Sequence, residues 1–200
     1  MLFRSHFWGF QDDCCAVGLV LAAAKAMLDI GFEPENDIVF CLHGAEEWGS
    51  SYTQFDWTVG AWEMINTLHP EWVGKTLAFL NFELPAYEFA TYTTTYSAPE
   101  MFSLLRDFTT RYPYAPKPQG CFPDGVLTEG YQTYTYSDDF SYYAAGVPST
   151  VNGFLLQKDM EHVHPFYIDY YHTQYDTPDT YNDAVMAFNL RYYGALAIYI

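Results

Sequence analysis

The chain has 200 residues, enough for one domain, and half of them are hydrophobic, so it can bury a substantial core. Twenty-five acidic residues against eight basic ones give a formal net charge of −17. This balance excludes nucleic acid as a partner class and disfavours anionic membrane surfaces, because phosphate binding needs clustered Lys and Arg. The sequence has no uncharged apolar run of about 18 residues, so it predicts no membrane-spanning helix. It leaves the compartment and the oligomeric state open.

Helices and strands alternate along most of the chain. In chain order, the predicted elements are helix Ala16–Ile30, strand Asp37–His43, helix Trp57–Leu68, strand Leu77–Glu83, helix Pro99–Tyr112, helix Ser137–Ala145, strand Val147–Val151 and a helix from Asn182 onwards. The sequence between Pro116 and Gly125 predicts a loop. The alternation of helices and strands predicts an α/β layered sheet.

The first predicted helix and strand are both strongly apolar. Ala16–Ile30 carries only two charged residues, which is typical of a helix packed on more than one side. Asp37–His43 (DIVFCLH) is an apolar run bounded by polar residues, the pattern of a central parallel strand. Ser137 is expected to cap the short helix that follows it. Because the chain opens without a lead-in strand and its last helix runs to Ile200, we expect a partial copy of a longer domain.

Acidic residues stand where the predicted strands end or where the first helix begins. Asp12 and Asp13 precede the first helix, Glu46 and Glu47 follow the strand ending at His43, and a polar cluster spans residues 172–179. Open α/β sheets bind ligands at the carboxyl ends of their strands. Carboxylates combined with imidazole suit Zn, Mn or Fe better than Ca or Mg. We therefore expect a transition-metal site at this edge of the sheet.

Five segments occur in an order seen in one enzyme family: GFQDDCCAVGLVLAAAKAM, GAEEWGSS, LNFE, SDDFSYYAAGVPS and YYHTQYDTPD. They resemble the co-catalytic zinc aminopeptidases, family twenty-eight of the metallopeptidases, whose relatives include glutamate carboxypeptidases and glutaminyl cyclases. The resemblance covers nearly the whole chain. It implies a three-layer α/β/α sandwich with a mixed, mostly parallel central sheet that lacks its first strands. Residues 1–200 would form a single, partial catalytic domain.

The resemblance also implies a role for each acidic position. Asp12 matches the aspartate that bridges two metals, and Glu46 matches the general base. Glu47 and His172 match ligands that share one zinc. Glu83 stands where the family usually has an aspartate ligand of the other zinc.

Four further residues match positions around the metal ligands or near the substrate: Asp13, Asp138, Asp176 and Thr177. They would orient the ligands by hydrogen bonds. Read without the resemblance, Asp12 and Asp13 could simply favour a helix N-terminus through the helix dipole.

The sequence departs from the family pattern at one ligand. The family has a further histidine ligand, in a His-x-Asp motif upstream of the bridging aspartate, and this sequence has no His-x-Asp. The family binds two zinc ions, but only the site made of Asp12, Glu47 and His172 is complete here. The resemblance implies a zinc-dependent exopeptidase acting on peptides, with metal-bound hydroxide as nucleophile, an aminopeptidase before a carboxypeptidase. Two alternatives stay open, namely a single-zinc acyltransferase similar to glutaminyl cyclases and a catalytically silent binding homologue.

Overall fold

The computed structural model describes residues 9–49, 57–87, 92–112, 125–130, 137–152 and 169–200. Within these ranges lie the helices α1 (Cys15–Asp29), α2 (Val59–Glu63), α3 (Pro99–Arg111), α4 (Asp139–Ala144) and α5 (Asp183–Tyr199). The strands are β1 (Phe79–Phe82), β2 (Tyr92–Ser97), β3 (Gly125–Gly130) and β4 (Ser149–Asn152). In the described part of the chain, no helix is both long and apolar enough to cross a membrane.

The four strands form one mixed sheet in the order β1-β4-β2-β3. β1 runs parallel to β4, with Phe79 opposite Ser149, and β2 runs parallel to β3. The pair β2 and β4 is antiparallel, with Thr95 opposite Asn152. The sheet is therefore mixed and mostly parallel, which confirms the predicted class.

Helices cover both faces of this sheet. Successive side chains of a strand point to opposite faces. In β1, Leu80 and Phe82 pack on one core cluster, which is built from residues of α3 and α5. Phe79 packs on a second cluster, which includes Ile65 and Tyr142. This arrangement of helices, sheet and helices is the predicted three-layer architecture.

Several helix ends lie close to their predicted positions. Gly31 follows α1 with φ of 66°, a left-handed conformation that glycine adopts without strain. Asn182 caps α5, because its side-chain oxygen accepts hydrogen bonds from the amides of Ala184 and Val185. The predicted helix Trp57–Leu68 is realised as α2 followed by a wider π-type turn, Met64–Leu68.

The predicted strand Asp37–His43 is wrong, because these residues form no strand in the structure. Val39, Phe40 and Leu42 are 59%, 40% and 51% exposed. The apolar run indicated a strand, but a strand also needs a partner that completes its hydrogen-bond ladder. Among the described residues, no strand forms a hydrogen-bond ladder with this segment. Leu21 and Leu28 of α1 are also exposed, so one side of this apolar helix faces solvent.

Two further details of the second half differ from expectation. β3 was not among the predicted strands, and its two terminal glycines are residues that strands disfavour. The predicted cap of Ser137 is wrong, since no side chain caps α4. The Ser137 hydroxyl donates instead to the carboxylate of Glu83.

Candidate functional site

Three loops bring Asp12, Glu47 and His172 together. Asp12 lies in an irregular turn, Phe10–Cys14, directly before α1, and is 6% exposed. Glu47 lies inside the turn that the Trp48 amide closes by donating to the Ala45 carbonyl. His172 has a left-handed backbone, with φ of 57°, a conformation in which histidine is more common than most residues.

The imidazole of His172 links the two carboxylates. Its Nε2 lies 3.0 Å from Asp12 Oδ2 and 3.3 Å from Glu47 Oε1. Hydrogen bonds with Asp12 and then Glu47 raise the pKa of His172 to about 10, although burial opposes them. One ligand atom from each of the three residues lies within 4.8 Å of the others. Within the described part of the chain, these are the three potential metal-ligating side chains that lie close enough together to hold a metal ion.

Asp176 holds the turn that carries Asp12. Its Oδ1 accepts a hydrogen bond from the Gln11 amide at 2.8 Å, and its Oδ2 accepts one from the Asp12 amide at 3.1 Å. Gln11 in turn donates to the Thr180 carbonyl at 3.1 Å. Asp176 therefore contacts the candidate ligand Asp12 through the backbone amide of Asp12. Thr177 is placed differently, because its hydroxyl accepts from the Asp179 amide at the start of a short 3-10 turn.

Glu46 lies beside the triad and makes a separate contact. The indole N–H of Trp57 donates to Glu46 Oε1 at 3.0 Å. Burial, followed by the negative charges of Asp138 and Glu47, raises the pKa of Glu46 to about 8. The side chain thus faces the same acidic pocket as Glu47 without belonging to the triad.

Glu83 and Asp13 belong to the same acidic pocket. Burial and the charge of Glu46 raise the pKa of Glu83 well above its usual range. Burial and the charge of Glu83 do the same for Asp13, whose Oδ1 accepts from the Leu84 amide at 3.3 Å. Glu83 is not part of the triad and accepts a hydrogen bond from Ser137. In the described residues, no second set of three ligands forms around Glu83.

Sequence reasoning missed two side chains of this pocket. His43 belongs to none of the predicted site positions, but its Nδ1 lies 2.9 Å from Asp138 Oδ2. Tyr171 stacks on His172 with ring centroids 3.9 Å apart, and burial together with the charge of Asp12 raises its pKa. The neighbouring positions of Tyr171 and His172 were the available signal for Tyr171. No sequence signal links His43 to Asp138, which lies 95 residues away.

The residues of the triad fit a zinc ion. Zinc binds carboxylate oxygen and imidazole nitrogen at about 2.0–2.2 Å, so its ligand atoms lie a few ångström apart, as they do here. Burial, followed by the negative charges of neighbouring carboxylates, raises the pKa values of Asp13, Glu46 and Glu83. A divalent cation would lower all three, because opposite charge favours the ionised carboxylate.

The fold matches that of several solved enzymes. The zinc aminopeptidase of Bacillus subtilis is 17% identical, with a TM-score of 0.71 over 96% of this chain and 42% of its own. The LapA aminopeptidase of Legionella pneumophila is 15% identical, with a TM-score of 0.65 over 96% of this chain and 47% of its own. The glutaminyl cyclase of Porphyromonas gingivalis is 17% identical, with a TM-score of 0.62 over 96% of this chain and 66% of its own.

This chain therefore spans less than half the length of the two aminopeptidases. No curated protein gives a significant sequence match. The model of peptidase family M28 matches residues 3–193, nearly the whole chain. That match agrees with the fold, with the acidic pocket and with the order of the sequence motifs, and the chain belongs to peptidase family M28.

Proposed function

We propose that this chain carries the catalytic site of a zinc-dependent exopeptidase, an aminopeptidase before a carboxypeptidase. The observation that supports it is the triad of Asp12, Glu47 and His172 with the non-ligating Glu46 beside it. Metal ligands and a separate carboxylate are the parts that metal-assisted hydrolysis of an amide bond uses. The substrate would be a peptide, as the family implies.

In this proposal Asp12, Glu47 and His172 hold zinc, and Asp176 keeps Asp12 in place through its backbone amide. Zinc bound there would lower the pKa of water to about 7 and polarise the scissile carbonyl. Glu46 accepts the proton of the attacking water and passes it to the leaving amine. Trp57 holds one Glu46 oxygen, which leaves the other to handle the proton.

A second candidate function is cyclisation of an N-terminal glutamine. The described residues form one complete triad rather than two metal sites, and a glutaminyl cyclase is among the proteins of similar fold. In that reaction the substrate's own α-amine attacks its side-chain amide, and ammonia leaves. The pocket then needs one metal and one proton carrier. The triad would hold the metal, and Glu46 would carry the proton.

Product analysis separates these functions. The zinc-loaded chain is incubated with one peptide that begins with leucine and one that begins with glutamine, and the products are identified by mass spectrometry. Free leucine supports the peptidase, whereas pyroglutamate with ammonia supports the cyclase. Bound zinc with no cleaved peptide and no pyroglutamate would contradict both and favour the silent binding homologue.

Zinc affinity is expected to rise with pH. Only neutral histidine binds a metal, and the pKa of His172 in the metal-free chain is about 10, so zinc must displace a proton at neutral pH. Displacing one proton strengthens apparent binding about tenfold per pH unit. Competition with a chelator of known affinity at pH 6, 7 and 8 measures this slope, after correction for the chelator's own protonation. A flat profile would contradict His172 as a ligand.

A further inference from the structure

His43 is a buried anchor at the end of an exposed segment. Val39 and Leu42, which precede it, are 59% and 51% exposed. The side chain of His43 is only 5% exposed. It stands three residues before Glu46, so its contacts fix the point from which the Glu46–Glu47 loop departs.

Both ring nitrogens of His43 contact the region of α4. Nδ1 lies 2.9 Å from Asp138 Oδ2, and Nε2 lies 3.0 Å from the Tyr142 hydroxyl. Asp138 directly precedes α4 and Tyr142 lies four residues later, so both partners share one side of the helix. Burial lowers the pKa of His43, but hydrogen bonds with Asp138 and Cys41 outweigh it and raise the pKa to about 9. The bond to Asp138 is therefore charge-assisted, and such bonds are stronger than neutral ones.

Thr58, which follows Glu46 in the chain, is bound to the same helix. The Thr58 amide donates to the Glu46 carbonyl at 2.7 Å, and Thr58 Oγ1 lies 3.1 Å from Ser141 Oγ on α4. Trp57 holds the Glu46 side chain. α4 thus contacts the chain on both sides of Glu46, through His43 before it and Thr58 after it.

We propose that His43 is a positioning residue, which fixes the Glu46–Glu47 loop against α4 by binding Asp138 and Tyr142. It rests on the proposed function for the roles of Glu46 and Glu47. His43 itself touches neither substrate nor metal. It acts through the placement of Glu46, and misplacing a catalytic group by about 1 Å can cost about 100-fold in rate.

Three variants separate the contacts of His43. His43→Leu removes both hydrogen bonds, whereas His43→Asn places an amide N–H close to the position of Nδ1 and keeps the bond to Asp138. Tyr142→Phe removes the other partner only. At saturating zinc we expect His43→Leu to lower kcat about 10- to 100-fold with KM changed less than about threefold. His43→Asn should recover most of the loss, and Tyr142→Phe, which removes one of the two partners, should lower kcat less than His43→Leu does.

A second measurement does not depend on hydrolysis. The indole N–H of Trp57 bonds Glu46, so its NMR signal reports the loop directly. We expect this signal to move in His43→Leu and to stay in place in His43→Asn. An unchanged signal in His43→Leu, or equal damage in His43→Asn, would overturn the positioning role. If the original chain releases no product, the proposed function fails, while the Trp57 signal still decides the role of His43.

Discussion

Replacing Glu46 by glutamine is expected to lower kcat by about 10² to 10⁴, the usual contribution of a general acid–base group. Zinc should still bind, because Glu46 lies outside the triad of Asp12, Glu47 and His172, but more weakly, because the substitution removes one negative charge close to the ion. Glutamine keeps an oxygen that can accept the indole N–H of Trp57. The substitution therefore removes the proton acceptor and retains the contact that orients it. Steady-state kinetics with a leucine-initiated peptide, together with zinc titration, measures the two effects.

A matched control keeps this result specific. Glu63 on α2 is exposed, and Glu63→Gln makes the same change of charge away from the pocket. It should leave both kcat and zinc affinity unchanged. Full activity in Glu46→Gln would exclude Glu46 as the general base. Loss of zinc in Glu46→Gln would mean instead that Glu46 is itself a ligand.

The sequence was most informative where chemistry depends on neighbouring residues. Asp12–Asp13, Glu46–Glu47 and the loop around His172 are short motifs, and each was expected to lie at one edge of the sheet. The structure places Asp12, Glu47 and His172 together, with ligand atoms within 4.8 Å of one another. A motif identifies such loops because their residues are close in sequence, and the topology of an α/β sheet brings the loops together.

Contacts between distant residues were harder to predict. Ser137 was expected to cap a helix, because serine commonly does so, but Glu83 offers it a partly buried carboxylate that needs a donor. Asp37–His43 has the composition of a central strand and yet exposes Val39 and Leu42. Composition measures the tendency to be buried, whereas a strand depends on a partner elsewhere in the chain. The contact between His43 and Asp138 also depends on the fold, which brings His43 Nδ1 to 2.9 Å from Asp138 Oδ2.

Replacing His172 by alanine is expected to weaken zinc binding more than about 100-fold, beyond the effect of losing an outer hydrogen bond to a ligand. The variant removes the only nitrogen of the triad and leaves two carboxylates, whose mutual repulsion His172 no longer offsets. Carboxylates alone suit Mg and Ca better than Zn. Titration with zinc and elemental analysis after dialysis measure the loss, and hydrolysis should disappear with the metal.

The backbone at His172 calls for a second variant. Its φ of 57° strains alanine more than asparagine, which tolerates the left-handed region. His172→Asn should therefore keep the loop conformation and still lose zinc, which separates ligand loss from backbone strain. His69→Ala is the matched control, because His69 pairs with Glu71 and lies outside the triad. Zinc retained in both His172 variants would show that His172 is not a ligand, whereas zinc retained only in His69→Ala would establish it as one.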